Sequence, residues 1–152
     1  MTDLKLLALD QDDLAVVSAA TQDAVLRVSD MGFAKADRRF ALLMNRFAWE
    51  AGDARGRGQR KRAALRFERV ESVKVSGIDT NARDGVLSLL AIVCEETDAP
   101  SGHVELRFAG GGTVRLAVEV LEARLEDLGA AWAARGRPSH DVPNHDLDQA
   151  KA

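Results

Sequence analysis

With 152 residues, 46% of them hydrophobic and 30% charged, the chain is the size of one domain and can bury roughly 70% of its unfolded surface in a single core. Its 21 basic and 24 acidic side chains leave a net charge of −3, which excludes a global attraction to nucleic acid or an anionic membrane and confines any such contact to a local patch. The one cysteine, Cys94, excludes an internal disulfide and a cysteine-rich zinc site, and inside LSLLAIVCEE it reads as a small buried hydrophobe.

The opening MTDLKLLALDQDD has neither the basic nor the long apolar region of a signal peptide, and no apolar run reaches about 18 residues. A cytoplasmic protein without a membrane span is the expectation. Leu4 to Leu9 is a short apolar strand that stops at Asp10. Asp10 then N-caps a helix of about three turns, with Asp12 and Asp13 where the dipole favours anions and Leu14, Val17 and Thr21 on one face. These acids lack the glycine and terminal glutamate of a calcium loop, so capping outweighs metal binding.

From Val25 the pattern becomes β. Val25 to Ser29 is followed by a polar connector, Lys35 to Arg38, and by RRFALLMNRFAWE, residues 38–50. Phe40, Leu42 and Met44 share one phase and Phe47 and Trp49 the other, which predicts a bulge near Asn45. AGDARGRGQRKR, residues 51–62, reads as a mobile basic hairpin loop. Ala64 to Val75 alternates again with a change of phase and a bend, and Val86 to Glu96 is apolar on both faces, as a central strand covered on each side would be.

His103 to Trp132 closes the chain. Val104, Leu106 and Phe108, then Val114, Leu116 and Val118, recur with the period of two of a hairpin. Gly110 to Gly112 join these strands, so they form a turn and not a phosphate cradle, which would have to lead into a helix. Val118, Leu121, Leu125, Leu128 and Trp132 then fall on one stripe of an amphipathic C-terminal helix. Gly136 and Pro138 stop it, leaving 4–137 as a single domain and 138–152 as a flexible tail.

The expected fold is therefore α+β and mainly antiparallel: a bent sheet or partly open barrel of about seven strands, capped by the C-terminal helix, with a short N-terminal helix. This architecture resembles the pleckstrin-homology-like barrel, in which such a helix plugs one end. In sequence, SAATQDAV (Ser18 to Val25), RRFALLMNRFAWE (Arg38 to Glu50) and LRFAGGGTVRLAVE (Leu106 to Glu119) are similar to an uncharacterised alphaproteobacterial family, a domain of unknown function. That resemblance implies no activity, cofactor or catalytic residues.

Catalytic chemistry has little footing. His103, His140 and His145 lack metal-ligand spacing, and Ser139, His140 and Asp141 are too close in sequence for a triad converging from separate segments. No catalytic residue, metal or cofactor is expected. Two candidate sites stand out. Arg39, Arg46, Trp49 and Glu50 offer a pocket with an aromatic wall and anion-fixing donors, against which stands cross-strand pairing of Arg39 or Arg46 with Asp23 or Glu50. Arg55, Arg57, Arg60, Lys61 and Arg62 offer an anion site, extended by Arg66 and Arg69, against which stands a merely solvated loop. The leading functional expectation is a non-enzymatic domain binding a protein or peptide through a sheet edge or the groove beside the C-terminal helix. Anion or nucleic-acid binding through 55–62 is the alternative, an enzyme built on the Arg46 and Trp49 pocket comes third, and a homo-oligomer is compatible with each.

Overall fold

The computed structural model describes residues 3–47 and 60–129. Strand β1, Lys5–Ala8, leads directly into helix α1, Gln11–Ala20, whose Asp10 cap accepts the Asp13 N–H at 2.8 Å. Leu14, Val17 and Thr21 are buried along one face of this segment, as their spacing dictates. Then follow β2 (Val25–Arg27), β3 (Met31–Ala34), β4 (Arg39–Phe47), β5 (Arg60–Phe67), β6 (Val70–Ser76), β7 (Val86–Glu96), β8 (Gly102–Phe108), β9 (Thr113–Val118) and β10 (Ala123–Asp127).

The strands form one mainly antiparallel open sheet in the order β1-β10-β5-β4-β2-β7-β8-β9-β6, with β3 beside β4. Among the described residues ten strands replace the expected seven: β3 and β10 were not anticipated, and the long strand over 64–75 is two. Its change of phase is real. Phe67 and Val70 are both buried because Glu68 and left-handed Arg69 (φ 56°) turn the chain between them. The partner segment turns with it, tied by Glu119 N–H to Arg69 O and Glu68 N–H to Glu122 O, both 3.0 Å. Thus β5–β6 and β9–β10 make one two-stranded ribbon that rounds a corner of the sheet. A single apolar cluster, including Leu42, Leu65, Phe67, Leu106, Leu116 and Leu125, joins both arms.

Four expectations are corrected. The C-terminal helix is not formed over the described residues: Val118 ends β9 and Ala123–Asp127 is β10, with Trp132 outside the described residues. Ala123, Leu125 and Asp127 are buried while Arg124 and Glu126 are exposed, a period of two hidden by the acid at the third inward position. The one α-helix among the described residues, α1, is N-terminal. No bulge occurs at Asn45, since β4 pairs with β5 without interruption from Phe40↔Phe67 to Phe47↔Arg60. The inward phase simply continues into Arg46.

Strand β7 is covered on one face only: Leu89 and Ile92 are buried, whereas Val86, Leu90 and Val93 are exposed. The basic stretch is not loop throughout, because Arg60–Phe67 is strand; residues 51–59 and 138–152 lie outside the described residues. No helix among the described residues is long and apolar enough to cross a membrane.

If 123–127 is a strand, substitutions should alternate in effect. Leu125→Ala is expected to cost about 2–5 kcal/mol, whereas Arg124→Ala and Glu126→Ala should stay within about 0.5 kcal/mol. Urea unfolding checks this; a cost at Arg124 equal to that at Leu125 contradicts the strand.

Candidate functional site

Two places in the fold gather unusual groups. The first is the inward face of β4, β5 and β10. Strand β5 lies between the other two, with Lys61 opposite Arg46 and Ala63 opposite Asp127. The small Ala63 side chain leaves the Arg46 guanidinium a path across β5 to Asp127. Nε meets Oδ1 at 2.7 Å and Nη2 meets Oδ2 at 2.8 Å, with both side chains wholly removed from solvent.

The N terminus closes over the same carboxylate. Leu4 N–H donates to Asp127 Oδ2 at 2.8 Å, while Asp127 N–H donates to Leu4 O at 2.9 Å. Lys61, largely buried on the same face, pairs with Asp3 at 3.4 Å. Burial pushes the Asp127 carboxyl up, but the Arg46 hydrogen bonds, the Leu4 amide and the nearby Lys61 charge outweigh it and hold the group below the ordinary carboxylate range.

This geometry separates the members of the first sequence-derived site. Arg39 and Arg46 stand on opposite faces of β4; Arg39 chelates Glu68 through Nε at 3.0 and 3.1 Å. Among the described residues their carboxylate partners are Glu68 and Asp127, and Asp23 is not one of them. Trp49 and Glu50 lie outside the described residues.

The second candidate set is likewise engaged within the chain. Arg60 Nη1 donates to Asp23 O and Asn45 O, and its guanidinium stands 5.4 Å from the Phe47 ring centre. Lys61 faces inward to Asp3, and Arg62 reaches Asp30 at 3.6 Å and Asn45 Oδ1 at 3.5 Å. Arg66 lies 3.8 Å from Glu68, and Arg69 contacts Glu119 and Glu122 at 3.4 Å. Arg55 and Arg57 lie outside the described residues.

The second place was not anticipated from the sequence. Helix α1 fills the gap between β1 and the outer edge of β7, and where its first turn begins a cleft of about 340 Å³ opens. Leu9 to Gln11 form one wall, Cys94 and Glu96 another, Pro100 to Gly102 a third, and Val118, Val120 and Leu121 the fourth. The volume is at the small end of the range for ligand sites. Apolar Leu9, Val120 and Leu121 line it and carboxylates Asp10 and Glu96 rim it, neither of them within ion-pair distance of a described basic group. Burial, and then the charge of Glu96, push the Cys94 thiol up, which disfavours its thiolate. The walls of the cleft come from three segments distant in sequence, 9–11, 94–102 and 118–121, and no local pattern signals such a convergence.

Fold and site together define a mainly antiparallel β protein with one N-terminal helix and a small acidic-rimmed cleft beside it. The chain belongs to the family described as protein of unknown function (DUF2948), whose model matches residues 4–140. No curated protein and no solved structure matches it.

Removing the Asp127 charge leaves a buried guanidinium uncompensated. Asp127→Asn should therefore cost about 3–5 kcal/mol in urea unfolding. The lowered folded-state pKa also fixes a pH effect: the stability contributed by Asp127 is full above its unfolded value and disappears as pH falls through the lower folded one. Stability of the native chain should thus drop on acidification below the ordinary carboxylate range, with a shallower drop in Asp127→Asn measured in parallel. Identical acid slopes would contradict the assignment.

Proposed function

We propose that the chain is a non-enzymatic interaction domain that takes a protein or peptide partner in the cleft at the start of α1. The observation that supports this reading is the cleft itself: apolar walls beside carboxylates that have no basic partner among the described residues. An apolar recess supplies contact area, and an acidic rim without a basic side-chain partner among the described residues selects the sign of the partner's charge. The site moves from the groove beside a C-terminal helix to the groove beside the N-terminal one, because β10 occupies the former position. The cytoplasmic setting belongs to the same reading.

Anion or nucleic-acid binding through 55–62 draws no support from Arg60, Lys61 or Arg62, each of which already contacts oxygens of this chain. The pocket of an enzyme draws none from Arg39 and Arg46, which occupy opposite faces of one strand. The pleckstrin-homology-like likeness called for a helix at 118–132, whose described residues contain no helix and include the end of β9 and all of β10.

The test compares complexes purified from the native host with wild type, Val120→Glu and Lys74→Glu. One and the same partner should accompany wild type and Lys74→Glu, on the distant β6, and be missing from Val120→Glu. A partner retained by Val120→Glu, or none with wild type, sinks the reading.

A further inference from the structure

The hydrogen-bonding phase of β7 specifies what kind of partner the cleft accommodates. Phe108 N–H donates to Gly112 O at 2.8 Å, so the even-numbered residues of β8 direct their backbone bonds to β9. The odd-numbered ones, His103, Glu105 and Arg107, face β7, where they stand opposite Glu95, Val93 and Ala91. The remaining residues of β7 must point their N–H and C=O groups away from β8. Ile92 does so, donating to Ser18 Oγ of α1 at 2.9 Å.

Two residues further on, Cys94 and Glu96 present their amide and carbonyl groups on that same outer edge. Strand β2 has already left, since its pairing with β7 runs only from Val86 to Ser88, and no described residue hydrogen-bonds to the outer edge at Cys94 or Glu96. Both residues line the cleft. It therefore combines a strand edge that is unpaired among the described residues, an apolar recess at Leu9, Val120 and Leu121, and the carboxylates of Asp10 and Glu96.

We infer that the cleft takes an extended segment of a partner protein in which an aliphatic side chain neighbours a lysine or arginine. The segment's main chain bonds to the β7 edge at Cys94 and Glu96, its aliphatic group enters the recess, and its cation lies between Asp10 and Glu96. Main-chain pairing supplies affinity and the recess and rim supply selectivity, as in other strand-addition complexes. The chain's own residues 138–152 are a poor occupant, for they bring Asp141, Asp146 and Asp148 against Lys151 to an acidic rim. The inference rests on the proposed binding role of the cleft.

A displayed library of random octapeptides, selected on the full-length protein and counter-screened on Glu96→Lys, tests it. Glu96 is exposed, and a thermal melt verifies that the variant remains folded. Enriched peptides should pair an aliphatic residue with Lys or Arg, bind Glu96→Lys about tenfold more weakly or worse, and shift the amide resonances of Cys94 and Glu96 in the wild type. No enrichment over an unrelated protein, acidic consensus sequences, binding indifferent to Glu96→Lys, or resonance shifts confined to another edge would each overturn it. Should the native partner be lost from Val120→Glu while the selected peptides fail these criteria, the binding role stands and the extended basic segment falls.

Discussion

A guanidinium and a carboxylate with no solvent contact persist in a protein interior only when each satisfies the other in nearly ideal geometry, and Arg46 and Asp127 do so across an intervening strand. Three separate stretches of chain must be in place for that. β4 supplies Arg46, β5 supplies the small Ala63 beneath it, and β10 supplies Asp127. The Leu4 amide then uses the remaining capacity of Oδ2, which fixes β1 at the outer end of the sheet. The pair therefore ties the register of four strands, since a slip of one residue would turn Arg46 or Asp127 to the wrong face, displace Ala63 from between them, or take the Leu4 amide out of reach.

That register propagates to the cleft. With β1 fixed against β10, Asp10 can end the strand and cap α1 immediately, and the helix is delivered to the gap beside β7. Ser18 meets the β7 edge at Ile92, and because the strand outruns the first turn of the helix, Cys94 and Glu96 have no partner on their outer edge among the described residues. The corner of the β5–β6 and β9–β10 ribbon completes the enclosure by bringing Val118, Val120 and Leu121 to the opposite wall. A structural ion pair at one end of the sheet and an open recess beside the helix are thus parts of one arrangement.

Much of the fold was legible because most inward positions are apolar. The capped helix at Asp10, the β8–β9 hairpin and the bend between Phe67 and Val70 all follow from spacing alone. Legibility failed where an inward position carries a charge. Arg46 broke the alternation of Phe40, Leu42 and Met44 and imitated a bulge; Asp127 broke that of Ala123 and Leu125, leaving the spacing of Leu121, Leu125 and Leu128 to imitate a helix. Each residue makes sense only beside the other, which is 81 positions away. Strand β3 escaped notice because it has four residues and includes Gly32. The candidate site was less legible still, as Arg60, Lys61 and Arg62 are engaged by contacts that only tertiary structure reveals and the cleft draws its walls from three segments distant in sequence.

The most direct test is a double-mutant cycle on Arg46→Met and Asp127→Leu, with stability measured by urea unfolding. If the two groups act as one buried unit, the double variant should recover most of what either single change loses, giving a coupling energy of about 2 kcal/mol or more. Losses that add to within about 0.5 kcal/mol would show that Arg46 and Asp127 act independently, and would contradict the claim that their pairing organises the sheet.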